Sequence, residues 1–517
     1  MITNVLEFLE ASCARYPDKI AVADDKQQLT YKELSDLSDK IGAALIPYVE
    51  QNSPVPVFMD KSCMALAVFL GVVKAGCFYC MMDTSQPADR LNHILATLEA
   101  KVMIINEKSA KKQAKLDFTG MVIPVESHID DVIDEGDRLA MAKRREQAID
   151  IDPLYAIFTS GSTGVPKGVV VNHRSTIDFI TNFTEIFSIT EDDVIGNQAP
   201  FDFDVSVKDI YSSLYKGATL QVIPKSYFSF PTKLLDYLDE RNVTTLVWAV
   251  SALCIVTTLK GFDYKRPHAI NKVIFSGEVM PIKHLNAWRE VYPNAMFVNV
   301  YGPTEITCNC TYYIVDREFA LDEKLPLGKT FPNERVFLLD EEDKPVTANT
   351  PGKLGEICVS GTAVTLGYYN NEERTNIAFV QNPLNPHFNE VIYRTGDLGE
   401  FDENGDLFYT TRKDFQIKLN GHRIELTEVE LAINAVEGIS RSCCIFDKDN
   451  NRIVAFVEGI NVDAKAIVHD LTKRIPKFMI PQEFEIKDVL PLTKNGKVDR
   501  KVLMESFLEA ESLKKGE

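Results

Sequence analysis

Phe158-Thr159-Ser160-Gly161-Ser162-Thr163-Gly164-Val165-Pro166-Lys167-Gly168 follows the short apolar run Leu154 to Phe158. The glycines let backbone N–H groups turn toward an anion with no side chain in the way. Four hydroxyls (Thr159, Ser160, Ser162, Thr163) and the Lys167 ammonium add donors and positive charge. That is the chemistry of a polyphosphate grip. Pro166 precedes Lys167 and Gly168 follows it, so the Gly-Lys-Ser/Thr ending of a Walker loop is missing. A Ser/Thr/Gly run also reads as a surface linker. Its place directly after an apolar strand argues against that.

Working outward, apolar runs alternate with helical patterns over residues 1–410, which points to α/β layers. Thr245 to Val250 and Lys272 to Phe275 read as strands, His284 to Tyr292 as a helix and Ala295 to Val300 as a strand. This β-α-β order puts Ser276-Gly277-Glu278 and Tyr301-Gly302-Pro303 at carboxyl ends of strands, where open α/β sheets collect ligands. The last hundred residues form a separate α+β pattern. Phe415 to Leu419 and Arg423 to Leu426 flank Asn420-Gly421, a hairpin signal. A helix follows over Thr427 to Ala435, with Thr427 and Glu430 spaced as a capping box. Arg452 to Glu458 reads as a strand, Ala464 to Arg474 as a helix, and the charged tail Glu511 to Glu517 as a frayed end.

At 517 residues the chain needs more than one core. A formal net charge of −19 argues against a nucleic-acid surface. No run of 18 apolar residues predicts a membrane span, and Met1 to Glu7 has no basic n-region. These features, with reduced thiols, lead us to expect a cytoplasmic protein. The ten cysteines are scattered. Cys77 and Cys80 have CxxC spacing, but no second pair accompanies them in the apolar stretch Ala75 to Met82, so they read as buried thiols, as do Cys443 and Cys444. The eight histidines show no metal-ligand spacing, and no structural metal is expected.

Five further stretches line up with the glycine-rich loop. They are Val300-Tyr301-Gly302-Pro303-Thr304-Glu305, Gly352 to Ile357, Tyr393-Arg394-Thr395-Gly396-Asp397, Lys413 to Lys418 and Asn495-Gly496-Lys497-Val498-Asp499-Arg500. In this order they resemble the motifs of the adenylate-forming enzymes, over nearly the whole chain. Within that superfamily the chain resembles stand-alone amino-acid adenylation domains. These include those of nonribosomal peptide synthetases and, most of all, the D-alanine:D-alanyl carrier protein ligase type. Phe203-Asp204-Val205-Ser206-Val207 and Asp414 to Leu419 are the nearest local matches.

The resemblance implies an acyl-CoA synthetase/luciferase-like large domain of layered mixed sheets and helices over 1–413. A small mobile α+β domain over 414–517 would turn on a hinge at Asp414. It implies ATP and Mg²⁺. Thr159, Ser160, Thr163 and Lys167 would grip the β- and γ-phosphates. Glu305 would hold Mg²⁺ and Thr304 would touch the α-phosphate. Asn299, Gly277, Glu278 and Tyr301 would line the adenine slot. Asp397 would accept both ribose hydroxyls, with Arg412 in support. Lys497 would bridge the substrate carboxylate and the α-phosphate. It would then leave as the Gln416 to Gly421 hairpin comes in for thioester formation. Thr411-Arg412 stands where the family has Gly-Arg.

For the substrate, the resemblance implies that Asp204 pairs with an α-ammonium, and that Lys208, Ile274, Ser276, Val300, Cys308 and Asn309 line the rest of a small, partly polar pocket. A carboxylate there argues for an amino acid over a fatty or aryl acid. Ser276-Gly277-Glu278 replaces the Cys-Gly-Glu of D-alanine ligases, so their choice of enantiomer is not assured here. Lys208 has two readings. Pointing inward, its ammonium favours a carboxylate-bearing substrate unless Asp202 or Asp209 supplies the counter-ion. Pointing outward, it snorkels to solvent. The overall match favours a small neutral amino acid. Little chain follows Lys497, so a phosphopantetheine carrier protein is expected in trans. An acyl- or aryl-CoA ligase and a non-catalytic nucleotide-binding scaffold are the competing readings. The sequence says nothing of oligomeric state.

Overall fold

The computed structural model describes residues 1–161, 165–413, 416–459, 463–492 and 498–515, with side chains through residue 511. Thr163, Asp414 and Lys497 fall outside the described residues. The chain divides into two compact units. One comprises Met1–Thr84, Thr97–Phe158 and Gly168–Lys413; the other comprises Ser85–Ala96, Thr159–Lys167 and Asp414–Glu517.

The first unit is built on a nine-stranded sheet. Its six inner strands, Met296–Tyr301, Lys272–Ser276, Thr245–Ala249, Val194–Asn197, Thr219–Val222 and Ile20–Ala23, run parallel in that order. Antiparallel strands close both edges. Parallel strands are covered on both faces and so are apolar almost throughout. Phe275 and Trp248, paired in register, are fully buried. The predicted strands and helix are present with shifted ends. Val250 opens a helix rather than closing a strand, and the helix predicted from His284 spans Ile282–Val291.

A six-stranded sheet carries Pro153–Thr159 and Lys167–Asn172, the strands on either side of the glycine-rich loop. A second six-stranded sheet pairs Val391–Phe401 with Leu407–Arg412, setting Asp397 opposite Arg412. Cys77, Cys80, Cys443 and Cys444 are buried free thiols, as predicted.

In the second unit, Asn420 and Gly421 take positive φ of 51° and 80°, the turn that joins Gln416–Leu419 to His422–Glu425. The capping box does not form. The helix Leu426–Asn434 begins one residue earlier, with Glu425 at its N-cap and no side-chain cap. Thr427 Oγ1 is buried without a partner. Glu430 is drawn away to the Cys444 amide at 2.7 Å and to Arg500. A charged acceptor prefers a cation to a cap. The tail also departs from expectation: the helix Arg500–Lys515 runs on, and Glu511 takes a bond from Arg452 at 3.2 Å.

Arg90 and Glu428, both nearly fully buried, form an ion pair at 2.5 Å within this unit. Burial raises the Glu428 pKa, and Arg90 opposes the rise. Breaking one partner of such a pair leaves the other buried and unmatched. Arg90→Met is therefore expected to destabilise the second unit by about 3 kcal/mol. Arg90→Met with Glu428→Gln should recover part of that loss. The urea midpoint of each variant checks both.

Candidate active site

Three elements of the first unit meet at the predicted substrate residues. Asp204 stands at the N-cap of the helix Val205–Lys216, in helical backbone, and makes no side-chain cap. Lys208 lies one turn further on and is 1% exposed. Its Nζ donates to Asn309 Oδ1 at 2.8 Å and to Ser276 Oγ at 3.4 Å. Lys208 therefore points inward and does not snorkel to solvent. Cys308 Sγ donates to the Asp204 carbonyl at 2.9 Å, which ties the third element to the helix start. Ile274, Val300 and Cys308 share one apolar cluster. All seven predicted substrate residues thus belong to one connected neighbourhood.

The backbone that brings Cys308 and Asn309 there is strained. Thr307 and Cys308 take positive φ of 54° and 76°. For a β-branched residue such as Thr307 this is costly. Its hydroxyl is held on the Ala363 carbonyl at 2.8 Å. Gly302 is required by the same turn, since a Cβ there would lie 2.5 Å from Asn309 Cα and 2.7 Å from Cys308 O.

Sequence reasoning missed the polar relay behind this pocket. Lys61 Nζ donates to Asn197 Oδ1 at 3.0 Å, and Asn197 Nδ2 donates to Asp209 Oδ2 at 2.7 Å. The other Asp209 oxygen is buried without a partner. Burial pushes Asp209 up to about 7 and Lys61 down to about 7. Burial also lowers Lys208, opposed by Cys308, Asp204 and Asp209, while it drives the Cys308 thiol well above its ordinary range. No residue spacing announces such a relay. The signal available was the run of polar residues inside a helix that must be buried.

Asp397 and Arg412, the residues expected at a ribose, are brought together. Asp397, 1% exposed, accepts from Tyr301 Oη at 2.5 Å and from Arg412 Nη1 at 2.6 Å. Both carboxylate oxygens are therefore engaged by protein, and further acceptance must use their remaining lone pairs. Tyr301, expected at the adenine slot, is joined to this carboxylate. Asn299 donates to the Pro326 carbonyl at 3.0 Å, Gly277 has φ 96°, and Glu278 is half-buried. Glu305, fully buried beside Thr304, accepts from Tyr368 Oη at 2.8 Å.

In the second unit Thr159 Oγ1 is buried without a partner. Ser160 Oγ donates to the Arg423 carbonyl at 2.8 Å, and the Gly161 amide to Glu428 Oε2 at 3.1 Å. Lys167 is 9% exposed. The loop amide has found an anionic oxygen, the class of acceptor its glycines suit. Among the described residues no three His, Cys, Asp or Glu gather as a metal cluster. None is needed for a Mg²⁺ ion held by one carboxylate and the phosphates of a nucleotide. Glu305 fits that role in donor type.

Residues 9–369 match the family of AMP-binding enzymes, and residues 428–497 match the AMP-binding enzyme C-terminal domain. The chain belongs to the AMP-binding enzyme family, the adenylate-forming class that its motifs and fold define. It is 32% identical to a D-alanine--D-alanyl carrier protein ligase of Staphylococcus aureus, covering 98% of this chain and 99% of that protein. Among solved structures it resembles IdnL1, at 25% identity and a TM-score of 0.77, covering 94% of this chain and 99% of the other. It shares its fold with NpsA-ThdA, an artificially fused adenylation-PCP di-domain from Klebsiella oxytoca, at 19% identity. There the TM-score is 0.79 and the coverage is 94% of each chain. Among the described residues no helix is long and apolar enough to cross a membrane.

Asp209 holds its proton to about pH 7 when folded, against an ordinary value of 3.8. Folding therefore takes up a proton between those limits. This contribution to stability is full below about pH 4 and is lost as pH rises to about 7, by up to about 4 kcal/mol. Asp209→Asn should flatten that fall, as read from urea midpoints at pH 5 and pH 8.

Proposed function

We propose that this protein activates a small amino acid as its aminoacyl adenylate and passes the acyl group to the phosphopantetheine thiol of a separate carrier protein. In the first step a carboxylate oxygen of the amino acid bonds to the α-phosphorus of ATP. The bond to the bridging oxygen breaks, and pyrophosphate leaves. In the second, the thiolate sulfur bonds to the acyl carbon and AMP leaves with the electron pair.

The observation that carries this reading is the neighbourhood of Asp204. The residue sits half-buried at a helix start without capping it, its carbonyl is tied to Cys308, and one helical turn on Lys208 bonds to Asn309. A carboxylate in that setting is matched by an α-ammonium and not by a fatty or aryl chain. The named ligase relative, alike over the full length, supports the use of a carrier protein.

The remaining roles follow from the same reading. Thr159, Ser160, Thr163 and Lys167 bind the β- and γ-phosphates, and the unpartnered Thr159 hydroxyl is one donor for them. Thr304 contacts the α-phosphate, and Glu305 holds Mg²⁺, which supplies charge neutralisation on the phosphates. Asn299, Gly277 and Glu278 bound the adenine, while Tyr301 and Arg412 orient Asp397 toward the ribose. Lys497 contributes an ammonium between the substrate carboxylate and the α-phosphate, where charge develops only as the reaction proceeds. Asp414 is the hinge of the C-terminal domain.

Two outcomes test the assignment. Lys497→Ala should lose roughly 3–4 kcal/mol of transition-state stabilisation, two to three decades in adenylate formation. Transfer from preformed adenylate should stay largely intact. Pyrophosphate exchange near wild type in that variant removes Lys497 from the reaction. Asp204→Ala should lose amino-acid activation by about 3–5 kcal/mol while keeping ATP binding. Normal activation in that variant ends the amino-acid reading.

A further inference from the structure

We propose, on the reading above that the chain activates an amino acid, that its substrate bears a second carboxylate in the side chain, and that Lys208 is the specificity-determining residue that receives it. Lys208 is 1% exposed, and its partners are two neutral oxygens, Asn309 Oδ1 at 2.8 Å and Ser276 Oγ at 3.4 Å. An ammonium carries three N–H donors, so one is left over. Among the described residues neither partner of Nζ is a carboxylate. A buried cation without an anion is unfavourable, and a chain needing only apolar packing at this place would be served by methionine.

The internal candidates for counter-ion do not fill the role. Asp209, next in sequence, gives one oxygen to Asn197 at 2.7 Å, and its other oxygen has no partner. Asp202 forms no bond to Lys208. Asp204 lies one helical turn back, about 5–6 Å between Cβ atoms. It raises the charge on Lys208 through space without bonding to it.

The spare donor then selects the ligand. A neutral apolar side chain leaves the third Lys208 N–H unmet, whereas a side-chain carboxylate accepts it and brings an anion to the buried ammonium. The hydrogen-bond chemistry agrees. With Oδ1 given to Lys208, Asn309 presents its amide as a donor, and the Ser276 hydroxyl can donate as well. Three donors around one buried position suit a carboxylate and are wasted on a methyl group.

The test is ATP–pyrophosphate exchange by the full chain with alanine, aspartate, glutamate, asparagine and glutamine, each as both enantiomers. One acidic amino acid should exceed alanine and its own amide isostere in kcat/KM by about 100-fold or more. Lys208→Met should erase that preference, with the KM for ATP unchanged and the melting curve confirming a folded protein. Should that variant fail to fold, the wild-type panel alone decides. Alanine or another neutral amino acid leading the panel overturns the proposal while leaving amino-acid activation standing. Exchange with no amino acid at all overturns both.

Discussion

An ion taken out of water must be met by a partner, and that constraint organises the carboxyl end of the nine-stranded sheet. Asp204, Lys208 and Asp209 crowd the first turn and a half of one helix, and the helix is buried. Asp209 is met by an amide and by its own proton. Lys208 is held by Ser276, at the end of the strand Lys272–Ser276, and by Asn309, in the loop before the strand Thr311–Ile314. The strand ends therefore cannot be placed independently of the helix. Thr307 and Cys308, which ties to the Asp204 carbonyl, have left-handed backbone, and that turn admits only glycine at 302. Local strain is held in place by a polar network.

The same rule shapes the second unit on a smaller scale. Glu428 is buried and takes two donors, Arg90 and the Gly161 amide. One belongs to a helix and the other to the glycine-rich loop, so one carboxylate joins three segments distant in sequence. Its elevated pKa marks how much of its solvation has been exchanged for these contacts.

Much of this was legible from residue order. Parallel strands announce themselves as apolar runs, and Asn-Gly between two alternating runs specifies its turn. A residue tied to backbone chemistry, such as Gly302, is readable because only glycine fits there. Long-range partners were not readable. Nothing near Glu428 in sequence names Arg90, and Thr427 and Glu430 satisfy a capping pattern that Arg500 and the Cys444 amide override. The direction of Lys208 was likewise open, because helical spacing puts it beside Asp204 without saying which face is covered. The placement of Ser276 and Asn309 around it is a tertiary fact. Asp397 was recognisable by its motif, yet the engagement of both its oxygens by Tyr301 and Arg412 depends on strand register.

The central claim is that the half-buried carboxylate Asp204 makes this an enzyme of amino acids. The most direct measurement compares pyrophosphate exchange for matched acids that differ only in the α-amine, such as an amino acid and its des-amino analogue. Exchange that requires the α-amine is the result the account predicts. Equal exchange with the des-amino acid, followed by transfer to free coenzyme A, would contradict it.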